Sequence, residues 1–103
     1  MYVVREIMYC KPGKVRAMVD KFKAMNALSG RVGMPTMRIL TDFAADRYWT
    51  VVAEMEVTDL AAYERMMASP AGTPEDNEKL AEIMKGYHDL LESGCREIYK
   101  VEE

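Results

Sequence analysis

The stretch from Tyr48 to Val57 alternates with a period of two, and this constrains the fold more than any other feature. Trp49, Val51, Ala53, Met55 and Val57 fall on one side of an extended chain and are all apolar. Tyr48, Thr50, Val52, Glu54 and Glu56 fall on the other side, a mixture of aromatic, aliphatic and acidic groups. Such a strand demands a covering layer on its apolar side. Its second side is neither a core face nor a plainly solvated one.

The covering layer is legible on both flanks. Val15, Met18, Val19, Phe22, Met25 and Leu28 recur at steps of three and four, which predicts a helix over 14–28 closed by Ser29-Gly30. After the strand, Thr58 as N-cap and Asp59 in the first turn predict a short helix. Leu60, Tyr63 and Met67 would form its apolar stripe, and Ser69-Pro70 would end it. Thr73-Pro74-Glu75-Asp76 is a strong helix start: a capping hydroxyl, a proline at the first helical position and two acids at the positive end of the dipole. Leu80, Ile83, Met84, Tyr87 and Leu91 extend that helix to a stop at Ser93-Gly94.

The remaining segments read as strands. Tyr2 to Cys10 is rich in Val, Ile and Tyr; Thr36 to Phe43 precedes the central strand through Ala44-Ala45-Asp46-Arg47; and Cys95 to Val101 closes the chain. The order β-α-β-β-α-α-β implies a ferredoxin-like α+β domain over residues 1–103. Its sheet would be antiparallel and four-stranded, in the order 4-1-3-2, with helices on one face. The first and last strands are then neighbours, which places Cys10 and Cys95 close in space as free thiols.

Composition narrows the function classes. Half of the 103 residues are hydrophobic, enough for a core, yet a domain of this size gains from a partner subunit. Charged residues make up 30 % with a net charge of -3, which argues against a nucleic-acid partner. No apolar run approaches the ~20 residues that cross a membrane, and the charged start Met1-Tyr2-Val3-Val4-Arg5-Glu6 is unlike a signal peptide, so a cytoplasmic location is expected. Two distant cysteines and one histidine make no metal site, and no cofactor-binding loop or nucleophile motif occurs. Ten methionines suit a pliable core or an adaptable apolar pocket.

Few residues carry candidate chemistry. His88 is the one side chain whose ordinary pKa lies near neutrality, and it could act as a general base or stand as an exposed helix histidine beside Asp89. Glu54 shares a strand face with Glu56; the two could raise each other's pKa as an acid–base pair, or pair with Arg5, Arg38 or Arg96. Tyr48, Trp49, Tyr63 and Tyr99 could line a pocket for an aromatic ligand or serve as core. The half-apolar second sheet face predicts a two-fold homodimer joined sheet to sheet.

The element order, together with Lys11-Pro12-Gly13-Lys14, the run from Trp49 to Met67, and Ser93-Gly94-Cys95-Arg96-Glu97-Ile98-Tyr99, resembles the dimeric α/β-barrel superfamily. Within it, the antibiotic-biosynthesis-monooxygenase-like and NIPSNAP-like families are the nearest. The resemblance implies a homodimer whose two sheets close into a barrel. It also implies a pocket between each sheet and its helices for a small aromatic or polyketide-like molecule. Some relatives are cofactor-independent monooxygenases and some degrade haem. The Asn, Trp and His of haem-degrading members do not map onto Asn26, Asn77, Trp49 and His88, and the histidine that follows the short helix in many monooxygenase-like members has no counterpart between Arg65 and Pro70.

Overall fold

The computed structural model describes residues 1–68 and 72–103. Its elements are β1 (Tyr2–Cys10), α1 (Val15–Leu28), β2 (Arg38–Thr41), β3 (Thr50–Val57), α2 (Leu60–Ala68), α3 (Pro74–Met84) and β4 (Leu91–Lys100), with a 3-10 turn at Tyr87–Leu90 before the last strand. The four strands form one antiparallel sheet in the order β2-β3-β1-β4, the expected order read from its other edge.

The alternation in β3 decides what lies where. Val51, Ala53, Met55 and Val57 are buried beneath the helices with Val4 and Cys10 of β1, and Met18, Val19 and Phe22 of α1 close the core over them. Met18, Val4 and Val51 have no solvent exposure at all, so the core sits between α1 and the two central strands. Along its shortest axis the molecule measures 18 Å, room for one sheet and one helical layer. The other face of the sheet is bare.

Polar side chains fix the surrounding loops. The Asn26 amide donates to the Met37 carbonyl at 2.8 Å and accepts from the Met37 amide at 2.9 Å, which ties the approach to β2 onto α1. Lys21 Nζ donates to the carbonyls of Ile83 and Lys85, each at 2.9 Å, placing a cation on the unpaired end of α3. At the other end of α3, Thr73 Oγ1 accepts from the Asp76 amide and the Asp76 carboxylate accepts from the Thr73 amide. This is the expected helix start, completed as a reciprocal cap.

Several expectations need correction. The third helix stops at Met84 because Gly86 turns left-handed (φ 79°). Tyr87 and His88 therefore lie in the 3-10 turn, and Leu91 opens a strand instead of closing a helix. Gly94 is a strand residue, not a helix stop; a Cβ there would meet the Ile7 carbonyl oxygen at 2.8 Å, so only glycine fits without displacement. Asp59, not Thr58, caps α2, its Oδ1 accepting from the Ala62 amide at 2.7 Å. Only Tyr63 of the α2 stripe is buried: Leu60 and Met67 are exposed, and Met66 packs on the core in their place. The stop assigned to Ser69-Pro70 lies outside the described residues.

Trp49 does not share the buried face of β3. It precedes the strand in a left-handed conformation (φ 62°) and is partly exposed. Cys10 and Cys95 do lie on neighbouring strands, but Cys10 stands opposite Leu91 and Cys95 opposite Ile7. Strand alternation then turns Cys10 into the core and Cys95 onto the bare face, and both thiols are free.

Candidate functional site

On the bare face the registers of all three strand pairs align four charged residues in one row. Arg38 of β2 stands opposite Glu54 of β3, Glu54 opposite Arg5 of β1, and Arg5 opposite Glu97 of β4. Arg5 Nε donates to Glu54 Oε2 at 2.8 Å, and an Arg38 terminal nitrogen donates to Oε1 at 2.5 Å. The two guanidinium groups cover the carboxylate, and Glu54 is only 8 % exposed. Their hydrogen bonds, Arg5 first, hold Glu54 below the ordinary carboxylate pKa. The row ends at Glu97, which accepts from the Tyr99 hydroxyl at 2.8 Å, while Arg5 lies 5.4 Å from the Tyr99 ring. That bond to Glu97, followed by burial, raises the Tyr99 phenol.

Glu54 is therefore an ionised acceptor engaged on both oxygens. Of the two fates its sequence position offered, the arginine pairing is realised with Arg5 and Arg38. Arg96 pairs instead with Glu6 on the helix-facing side. Glu56 is exposed beside a cleft of about 410 Å³ at the β2 edge, which Pro35, Thr36 and Arg38 also line.

His88 is exposed, its ring 3.9 Å from that of Tyr87. The turn that carries it leads into Leu91, opposite Cys10, whereas Glu54 stands opposite Arg5. Five residues of strand, roughly 16 Å, separate those two levels. The structure does not bring Glu54 and His88 together.

The four aromatic candidates divide among three places. Tyr48 and Trp49 flank a shallow cavity of about 280 Å³ with Val15, Arg16 and Thr41. The loop holding them is fixed by Asp42, whose Oδ1 accepts from the Thr50 amide at 2.9 Å, and by Thr50 Oγ1 donating to the Arg47 carbonyl at 2.8 Å. Tyr99 stands on the bare face. Tyr63 lies beneath the sheet and walls a separate cavity of about 250 Å³ with Gly33, Pro35, Val57, Ala62 and Met66.

Tyr63 is unlike the others. It is 8 % exposed, and its hydroxyl is buried with no hydrogen-bond partner among the described residues. Burial raises its pKa, opposed by the charge of Arg96, whose guanidinium lies 5.8 Å from the ring, and assisted by Glu6. A buried hydroxyl without a partner costs about 1–3 kcal/mol. Sequence periodicity marked Tyr63 as an inward residue, but nothing in the pattern could show that its hydroxyl would go unpaired.

No family model matches the chain, and no curated protein does. Solved structures share its fold. A NIPSNAP-like domain protein from Burkholderia xenovorans superposes with a TM-score of 0.74 at 16 % identity, over 97 % of this chain and 84 % of that one. A NIPSNAP family protein from Agrobacterium tumefaciens gives 0.72 at 13 % identity, over 96 % and 90 %. A candidate antibiotic biosynthesis monooxygenase from Nitrosomonas europaea gives 0.63 at 19 % identity and covers both chains in full. The class is thus a ferredoxin-like α+β domain of the architecture seen in NIPSNAP-like and antibiotic-biosynthesis-monooxygenase-like proteins, as the sequence resemblance implied. At these identities the likeness establishes the fold alone.

Proposed function

We propose that this protein is a homodimer, joined through its bare sheet faces, that binds a small and mostly apolar molecule carrying one hydrogen-bonding group. The observation that carries the binding reading is the cavity of about 250 Å³ walled by Tyr63, Val57, Ala62 and Met66, beside a buried Tyr63 hydroxyl that has no hydrogen-bond partner among the described residues. Val57, Ala62 and Met66 would supply contact area, and the Tyr63 hydroxyl would orient the ligand. Methionine adapts to irregular shapes, which suits a cavity of this kind.

Fluorescence titration with 2-naphthol and with its methyl ether tests the reading. Saturable binding of 2-naphthol is expected, weakened about tenfold in Tyr63→Phe, the loss of one hydrogen bond. Absence of saturable binding by either probe, or equal affinity of wild type and Tyr63→Phe for 2-naphthol, would refute it.

A second reading, a cofactor-independent oxygenase acting on such a molecule, is supported by the shared fold with the Nitrosomonas europaea protein. Glu54 and His88 are its candidate acid–base groups, and of the two His88 alone is free of an ion pair among the described residues. Dioxygen uptake on adding 2-naphthol is its expected signature, and absence of uptake would refute it.

A further inference from the structure

The charged row on the bare face alternates in sign across the whole sheet: Arg38, Glu54, Arg5, Glu97. It starts positive on one edge strand and ends negative on the other. Reversed, the sequence of signs becomes its own complement. From this geometry we infer that the row fixes the register of the dimer, by setting Arg38 of each protomer on Glu97 of its partner copy. The inference rests on the dimer reading and adds to it the direction of the two-fold axis.

Two sheets packed face to face in an aligned sandwich admit two simple two-fold axes lying between them. An axis parallel to the strands places β2 over the second copy's β4 and β3 over its β1. Arg38 then meets Glu97, and Glu54 meets Arg5, all four pairs of opposite sign. An axis across the strands, at the level of the row, places each strand over its own copy. Arg38 would then face Arg38 and Glu54 would face Glu54, so every pair would repel. Charge selects the first axis.

Side-chain exposure fits this choice. Arg38 is 74 % exposed, with most of its donors unused by Glu54. Glu97 keeps a second carboxylate oxygen beyond its bond to Tyr99. Facing sheets lie about 10 Å apart, a gap that an extended arginine and a glutamate span between them. The neighbouring row on the same face is Leu40, Val52, Ile7 and Cys95, apolar throughout and indifferent to reversal. It supplies burial while the charged row supplies direction. Strands of 9, 4, 8 and 10 residues, at about 3.3 Å per residue and about 4.8 Å spacing, present roughly 490 Å² per copy, or about 1,000 Å² for the pair, the lower limit of a specific interface.

The two-fold makes a sharp test possible, because each exchange of charge is met twice. Arg38→Glu sets an acid against Glu97 in its own homodimer, and Glu97→Arg sets a base against Arg38. Each variant alone should dimerise at least about a hundredfold more weakly than wild type in sedimentation equilibrium. Mixed in equal amounts they should form a one-to-one heterodimer. One contact then joins the two introduced groups with their signs exchanged, and the other keeps the native pair of Arg38 and Glu97. Wild-type dimer with unaffected single variants, or with a mixture that stays monomeric, would overturn the inference and leave the dimer standing. A monomeric wild type at about 100 µM would overturn both. Should circular dichroism show either variant unfolded, Arg38→Gln and Glu97→Gln replace them. Each should then lower the salt dependence of the wild-type dimer constant, and an unchanged dependence would overturn the inference.

Discussion

Replacing Glu54 by glutamine tests how far the bare face is organised around one carboxylate. Glu54 accepts charge-assisted hydrogen bonds from Arg5 and Arg38, whose side chains are 43 % and 74 % exposed. Solvent screening reduces the Arg38 bond to about 0.2–1 kcal/mol. The less exposed Arg5 bond contributes about 1 kcal/mol, and the new amide would turn a buried N–H toward a guanidinium at a further cost of about 1 kcal/mol. The expected loss is about 2–3 kcal/mol, or roughly 8–24 °C in Tm for a domain of this size. The pH dependence carries the sharper information. Glu54 titrates below its ordinary range in the folded state, so its contribution is fully present above the ordinary carboxylate value of about 4.3 and is lost as the pH falls through the folded value. The gap between wild type and Glu54→Gln should therefore narrow below about pH 4. Urea unfolding by circular dichroism, at one fixed protomer concentration, measures it. A loss under about 0.5 kcal/mol at pH 7, or a gap that stays constant down to pH 3, would refute the ion-pair account.

Gly94→Ala should destabilise the β1–β4 pairing by about 1–3 kcal/mol in the same assay, because its Cβ would press on the Ile7 carbonyl at 2.8 Å. Thr73→Ala should cost about 1 kcal/mol by removing the hydroxyl that accepts from the Asp76 amide, and Thr73→Ser should restore most of it. Cys10 should resist alkylation until the chain unfolds, since it is buried and burial pushes its thiol pKa up. Cys95, on the bare face, should react in dilute protein and slow as protomer concentration rises; a concentration-independent rate would count against the face-to-face dimer.

The architecture was legible in the residue order because side-chain periodicity dictates burial. The two-residue alternation of β3 and the three-and-four spacing of α1 each state which side must be buried, and few topologies satisfy both with right-handed connections. The Thr73 cap was equally legible because its chemistry is local. Backbone events were harder to read: Gly86 ended α3 well before the expected stop, and Trp49 took a left-handed conformation that its apolar character does not announce. The bare face and the cavity depended on tertiary structure altogether. Arg5, Arg38, Glu54 and Glu97 are scattered from one end of the chain to the other, and only strand register makes them a row. That the Tyr63 hydroxyl finds no partner among the described residues depends on what surrounds it in space, a property no spacing encodes. Side-chain periodicity is written along the chain, whereas hydrogen-bond satisfaction and charge order across a sheet exist only once distant segments meet.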